Sequence, residues 1–330
     1  MIITAWSAMS PHGTDTGDVA AGMVSRRPLA DGPRPVPDFD PRSFLGRQGT
    51  RTMNRATALA VANAARLRAA DDEPSRVGVV LGTTNGSAQS ILDLNRDSLT
   101  AAKPYHIPPS TILNAAMNGV AGQCAIWHGL KGPNATLAAG RPTILLALGY
   151  CRRLLMTGRA DAILAGAAEE LSEARSWSRD PGTGQVPLAE GCAMLRLVPA
   201  AAGGLAEVTA VTSTAVTDGD IGAAVTRAAH RALSRTPGEP LWAALGSGMT
   251  GDAEFRALTA VCRPLTPLPP MTESLGQTHS ATGSFQMAAL LSHAAADPGS
   301  GGRLALLTAV EPAGVVAAAV VRITGGSGDA

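Results

Sequence analysis

Residues 131–171 read KGPNATLAAGRPTILLALGYCRRLLMTGRADAILAGAAEEL, and this stretch constrains the fold more than any other. A Gly-Pro-Asn turn leads into a short extended run at 135–138, a sharp turn follows at Gly140, and Pro142 opens a helix. Proline suits a first helical turn because its missing N–H would be unpaired there anyway. Ile144, Leu145, Leu146, Ala147 and Leu148 are apolar on every side, so the helix is expected to be buried. Gly158 can cap it, and 160–166 (ADAILAG) reads as a buried strand. Strand, tight turn and buried helix make an elbow that holds one side chain at the positive end of a helix dipole, where a thiolate is stabilised. The side chain at the tip is Arg141.

The rest of the chain alternates in the same way, with β-branched runs between Ala/Leu-rich helical stretches, which indicates an α/β protein. Strands are expected at 2–4, 77–81, 162–165, 192–197, 241–245, 304–308 and 315–321, and helices at 55–70, 142–157, 221–234, 252–262 and 284–295. Breaker clusters fall at 31–40, 179–184, 199–204, 264–270 and 297–302. The one at 199–204 is the expected junction of two halves, 1–200 and 201–330, and the tail 325–330 is expected to fray. With 330 residues, 45% hydrophobic and only 3% aromatic, the core must be built from small side chains at close approach.

Several functions are disfavoured. The net charge is +1 and no Lys/Arg stripe marks a nucleic-acid footprint. No window reaches the roughly 18 apolar residues of a membrane span, and Met1–Trp6 lacks a basic region before a long apolar stretch, so a soluble, cytoplasmic protein is expected. Cys124, Cys151, Cys192 and Cys262 show no metal-ligand spacing and are expected to be buried free thiols.

The segment at 131–171 resembles the active-site region of the ketosynthase (thiolase-like) superfamily, in which a strand and sharp turn precede the catalytic cysteine. The resemblance continues through 2–13, 49–65 (GTRTMNRATALAVANAA), 76–86 (RVGVVLGTTNG), 189–197 and 276–289, with 170–189 shortened. It implies a layered αβαβα sandwich built from two similar halves, with no cofactor and no metal.

A condensing enzyme needs a thiolate to carry the acyl chain and basic groups to stabilise developing charge. At the positions matching that machinery, Arg141 replaces the cysteine and Leu245 the first histidine, in LGSGMTGDAE. Thr272 replaces the lysine and Gln277 the second histidine, in TESLGQTHSATG; residues 309–314 (AVEPAG) replace a Phe-Gly-Gly gate. An arginine at 141 cannot form a thioester and must find a carboxylate or backbone carbonyls. Asp252 and Glu254 fit helix N-terminal charges better than an acid/base pair, and His279 fits a structural turn histidine.

Losing every catalytic position together implies a non-condensing subunit, most similar to the chain-length factor class of type II polyketide synthases. That class often carries glutamine at the elbow, so arginine departs from the usual choice. The resemblance implies a heterodimer with an active ketosynthase, contact with an acyl carrier protein through that complex, and strand pairing across a two-fold axis at 135–138. It also implies that 112–124 approaches the partner's acyl tunnel, where Leu113, Ala116, Met117 and Val120 recur at helix-like spacing. The alternatives are a decarboxylase or acyltransferase using His279 or Ser247, and a homodimeric acyl-binding scaffold.

Overall fold

Strands rich in Ala, Val and Leu with few polar positions must be covered on both faces, and in the computed structural model they are. It describes residues 1–177, 186–200, 203–217, 219–236, 241–248, 252–261, 266–312 and 314–324. The N-terminal strands are β1 (Ile2–Met9), β2 (Val77–Gly82), β3 (Asn134–Leu137), β4 (Ala162–Glu169) and β5 (Gly191–Val198). The C-terminal ones are β6 (Ala206–Ala215), β7 (Leu241–Leu245), β8 (Thr266–Pro267), β9 (Leu304–Val310) and β10 (Val315–Ile323).

The helices are α1 (Thr16–Val24), α2 (Pro41–Leu45), α3 (Arg55–Ala65), α4 (Ala88–Thr100), α5 (Pro109–Ala115) and α6 (Gly119–His128). They continue as α7 (Thr143–Met156), α8 (Glu173–Trp177), α9 (Ile221–Leu233), α10 (Asp252–Val261), α11 (Met271–Ser274) and α12 (Thr282–Ala296).

The strands form one sheet in the order β3-β2-β4-β5-β1-β6-β10-β9-β7-β8. Read inward from each end, the two five-strand sets have the same order and the same directions: β2 is parallel to β3 and β4, as β7 is to β8 and β9. β5 is antiparallel to β4 and β1, as β10 is to β9 and β6. The sets meet where Ile2 and Ile3 pair with Glu207 and Ala206.

Three core clusters define the layers. One packs α3 and α6 on the N-terminal strands, and another packs α9 and α10 on the C-terminal strands. The central cluster holds α7 and α12 between the two sets, giving the expected αβαβα sandwich. α12 is buried without interruption from Thr282 to Ser292. It crosses α7 closely because Gly283 lacks a side chain, and a Cβ there would stand 3.1 Å from Ile144 Cβ. Ile144 and Leu145, fully buried at that crossing, contribute about 1.5–3 kcal/mol each.

Beyond the short pairing with β1, one edge of β6 faces away from β10, and arginines cap it. Arg227 and Arg231 on α9 donate to the carbonyls of Ala215 (3.4 Å) and Ser213 (3.3 Å). Arg235, just past α9, donates to Val211 O at 3.2 Å. Arg152 on α7 serves Val208 O (2.5 Å) and Thr209 O (2.8 Å). The geometry matches because four helical residues rise ~6 Å and two strand residues ~6.6 Å.

Some expectations need correction. β6 was not anticipated, and β8 lies inside the proline-rich stretch read as a breaker. α3 stops at Ala65 instead of running to 70, because Asp72 draws the Ala69 N–H into a local turn at 2.9 Å. The spacing over 113–120 is not one helix, since the chain is extended at Ala116 between α5 and α6. Asn114 braces the bend instead of continuing the helix: its amide donates to Thr52 O (2.6 Å), and its side-chain oxygen accepts from Gln123 of α6 (3.0 Å), which ties α5 back onto α6 across the turn. Cys124, Cys151 and Cys192 are buried free thiols, and burial pushes Cys124 up to about 12. Cys262, the stretch 179–184 and the tail 325–330 lie outside the described residues. Among the described residues no helix is long and apolar enough to cross a membrane.

Candidate functional site

The elbow forms as its sequence dictates. Gly140 takes a φ of 62°, which an L side chain rarely adopts. Thr143 staples the turn, donating to Gly140 O (2.5 Å) and accepting from Ala139 N–H (2.9 Å). Pro142 then caps α7. Arg141 stands at the tip, only 7% exposed. Its Nη1 donates to Val310 O at 3.1 Å and lies 3.7 Å from Glu311 Oε2, which also accepts the Arg141 N–H at 3.4 Å. The arginine therefore has both a carbonyl and a carboxylate, brought from the turn after β9.

Leu245 ends β7, buried at the position expected of the first histidine. Two residues on, Ser247 is tied into a buried knot around Glu254 of α10. The Glu254 carboxylate accepts Ser247 N–H (3.0 Å), Ser247 Oγ–H (2.8 Å), Gly248 N–H (3.0 Å) and Thr308 Oγ–H (2.7 Å). Burial pushes its carboxyl above the usual range, against the lowering effect of those bonds. Glu254 thus sits in the first turn of α10, as expected of a helix N-terminal charge, but works as a buried tie. The side chain of Asp252 lies outside the described residues. Ser247 Oγ also accepts Val310 N–H at 3.3 Å, which links this knot to the arginine's carbonyl partner.

Thr272, on α11, donates to Gly248 O at 3.3 Å. Gln277 is 3% exposed, and its backbone bonds Pro187 O (2.8 Å) and Ala189 N–H (3.0 Å). Its side-chain amide has no hydrogen-bond partner among the described residues. Arg141, the 245–248 stretch and Thr272 are thus joined by a chain of hydrogen bonds, whereas Gln277 is fixed to the segment before β5.

A second cluster escaped the sequence reading. Glu169 ends β4, Glu170 follows it, and Glu190 precedes β5. Glu190 takes Arg55 Nε at 2.5 Å and the N–H groups of Val36 (2.9 Å) and Leu171 (3.2 Å). Arg175 of α8 is buried among the three carboxylates and donates to the carbonyls of Glu170 (2.5 Å), Ala189 (3.0 Å) and Gln277 (2.9 Å). Glu169 accepts from Thr84 (2.6 Å) and from Ser280. Ser87 and Gln89 bond Glu170, whose carboxyl burial pushes up. His279, at a left-handed φ of 44°, borders a cavity of about 50 Å³ with Thr84, Glu169, Glu170 and Arg175. Only the paired acids at a strand end hinted at this cluster: Arg175 follows Glu170 closely in the chain, but Arg55 lies 135 residues from Glu190.

Of the expected tunnel residues, Leu113 (67% exposed) and Met117 (45% exposed) face outward, as does Ala116. Val120 does not: it is buried in its own core against α3. Tyr105 and Ile112 are exposed too, so this flank of the N-terminal half carries an apolar face.

A family model described as β-ketoacyl synthase, N-terminal domain, matches residues 35–179. The chain is 27% identical over 143 residues to 3-oxoacyl-acyl-carrier-protein synthase 2 of Vibrio harveyi, covering 42% of this chain and 34% of that one. It is 27% identical over 199 residues to the granaticin polyketide putative β-ketoacyl synthase 1 of Streptomyces violaceoruber, covering 51% and 46%. The chain therefore spans less than half the length of these curated relatives. Among solved structures, the ishigamide ketosynthase/chain length factor superposes with a TM-score of 0.89 at 39% identity, covering 98% of this chain and 99% of that one. A β-ketoacyl synthase from Burkholderia phymatum shares the fold, with a TM-score of 0.79 at 18% identity, covering 98% and 99%. With 39% identity across nearly the whole of a ketosynthase/chain length factor chain and the matching fold around the Arg141 elbow, the chain belongs to the ketosynthase family of the thiolase-like superfamily, similar to its chain-length-factor class.

Proposed function

We propose that this chain is a catalytically silent ketosynthase subunit that pairs with an active β-ketoacyl synthase and helps set the length of its polyketide product. The observation that carries the proposal is Arg141, buried at the elbow tip with its guanidinium and its N–H already engaged. A guanidinium has no lone pair to attack a thioester and stays protonated near neutral pH. Leu245, Thr272 and Gln277 supply no base and no cation in place of the lost ones.

The partner surface is the free edge of β3 with the neighbouring exposed Tyr105, Ile112, Leu113 and Met117. Support for such a partner comes from the similar ketosynthase/chain length factor, and from another relative of this fold described as a type II acyl-carrier protein in complex with its ketosynthase. A carrier protein would reach this chain through the complex. The halves 1–200 and 201–330 each supply one five-strand set, and the buried free thiols suit work in the cytoplasm.

Co-expression with an active ketosynthase is expected to yield both chains in equal amounts through successive purification steps. The chain alone, incubated with malonyl carrier protein, is expected to leave the malonyl group intact by mass spectrometry. Carbon dioxide loss would favour the decarboxylase reading, and a stable homodimer indifferent to the ketosynthase would favour the scaffold reading.

Met117 lies in the turn between α5 and α6 and is 45% exposed, which supports the reading that it helps form the tunnel floor. In the reconstituted pair, Met117→Ala is expected to lengthen the main product by about one extension unit and Met117→Trp to shorten it, as volume is removed or added. An unchanged product length in both variants would remove Met117 from the tunnel.

A further inference from the structure

The turn between β9 and β10 carries a carboxylate onto the elbow from a fixed backbone. Glu311 N–H donates to Val315 O at 2.9 Å and its carbonyl accepts Val315 N–H at 3.1 Å, so it forms the last rung of the hairpin. Its side chain lies on the bare face of Gly140, where any Cβ would collide with the carboxylate and stand 3.0 Å from Cγ. The same carboxylate takes the Arg141 N–H (3.4 Å) and faces the guanidinium (3.7 Å), which in turn holds Val310 O (3.1 Å). Three ties thus join 310–311 to 140–141 at the start of α7, whose cap residue Pro142 offers no side-chain hydrogen bond.

We infer that Glu311 is a lock on the silent centre: with Arg141 it fills and closes the elbow, so the site is shut as well as lacking a nucleophile. The lock deepens the silent-subunit reading and rests on it only for its purpose. Glycine at 140 is then required twice, once for its backbone angle and once to receive the carboxylate.

A thiol placed at the elbow tests the lock, because its alkylation rate reports both access and local charge. Arg141→Cys is compared with Arg141→Cys/Glu311→Gln and Arg141→Cys/Glu311→Ala in the full chain, with iodoacetamide and peptide mass mapping at position 141. Slow labelling is expected in the single variant. Loss of the carboxylate should speed it roughly tenfold, the effect of about one unit of thiol pKa, with the alanine variant fastest because space also opens. Equal rates in all three would overturn the lock.

If the cysteine variants do not fold, hydrogen exchange of the native chain and of Glu311→Gln carries the same test. Faster exchange of the Arg141 amide and the first turn of α7 is expected in the variant, and no change overturns the proposal. The two readings fail separately. Carbon dioxide release by the native chain sinks the silent-subunit reading whatever the labelling shows, and uniform labelling of a silent chain sinks only the lock.

Discussion

Replacing Arg175 by methionine is expected to destabilise the chain by roughly 3–5 kcal/mol, the cost of breaking a buried ionic network by removing one partner. The side chain bonds three main-chain carbonyls, those of Glu170, Ala189 and Gln277, which lie on three separate segments. Methionine fills the volume but leaves the carbonyls short of a donor and strips a cation from Glu169, Glu170 and Glu190. Arg175→Lys is expected to recover only part of the loss, because one ammonium cannot reproduce a planar fork across three acceptors. Urea denaturation of the three proteins checks this, and a midpoint that stays put in the methionine variant would show the network to be dispensable. The turn carrying Gln277 and His279 is expected to become protease-sensitive first, since it would then be held to the end of β4 by the Ser280–Glu169 bond without the arginine.

Thr136→Pro is expected to abolish assembly with the ketosynthase while leaving the fold intact. Val79 N–H donates to Pro133 O and Thr83 N–H to Leu137 O, so the odd positions of β3 face β2 and Thr136 points its N–H to the open edge. Proline there removes one outward donor and no bond to β2, and the strand already has the extended backbone that the residue before proline requires. An affinity loss of roughly a hundredfold, about 3 kcal/mol, is expected, with a thermal midpoint close to that of the native chain. If the variant still co-purifies in equal amounts, the seam lies elsewhere.

How far the sequence reaches depends on the range of the interactions involved. The elbow was legible because Gly140 and Pro142 act within a few residues of Arg141, and the helix after it was apolar all round. β7 was found with both ends correct. β6 was missed because its buried positions, Ala206, Val208, Ala210 and Thr212, hold a single strongly apolar residue, while Val211 stands on the other face and blurs the alternation. The replaced positions Arg141, Leu245, Thr272 and Gln277 came from resemblance. Their surroundings could not be read, because the partners lie far away: Glu311 is 170 residues from Arg141, and Glu190 is 135 from Arg55. Val120 shows the opposite failure, where regular spacing suggested a shared face that a break at Ala116 divides between core and surface.

The arginines along β6 bear on how such a chain chooses company. A sheet end advertises itself through carbonyls and amides that lack a neighbour, and any extended segment can answer. Here β8 offers only two paired residues among those described, while guanidinium groups already occupy carbonyls of β6. Of the described strands, β3 is left as the edge that can still accept another. In the proposed pair, choice of neighbour is then made by elimination, with two quieted borders among the described strands directing a second subunit to β3.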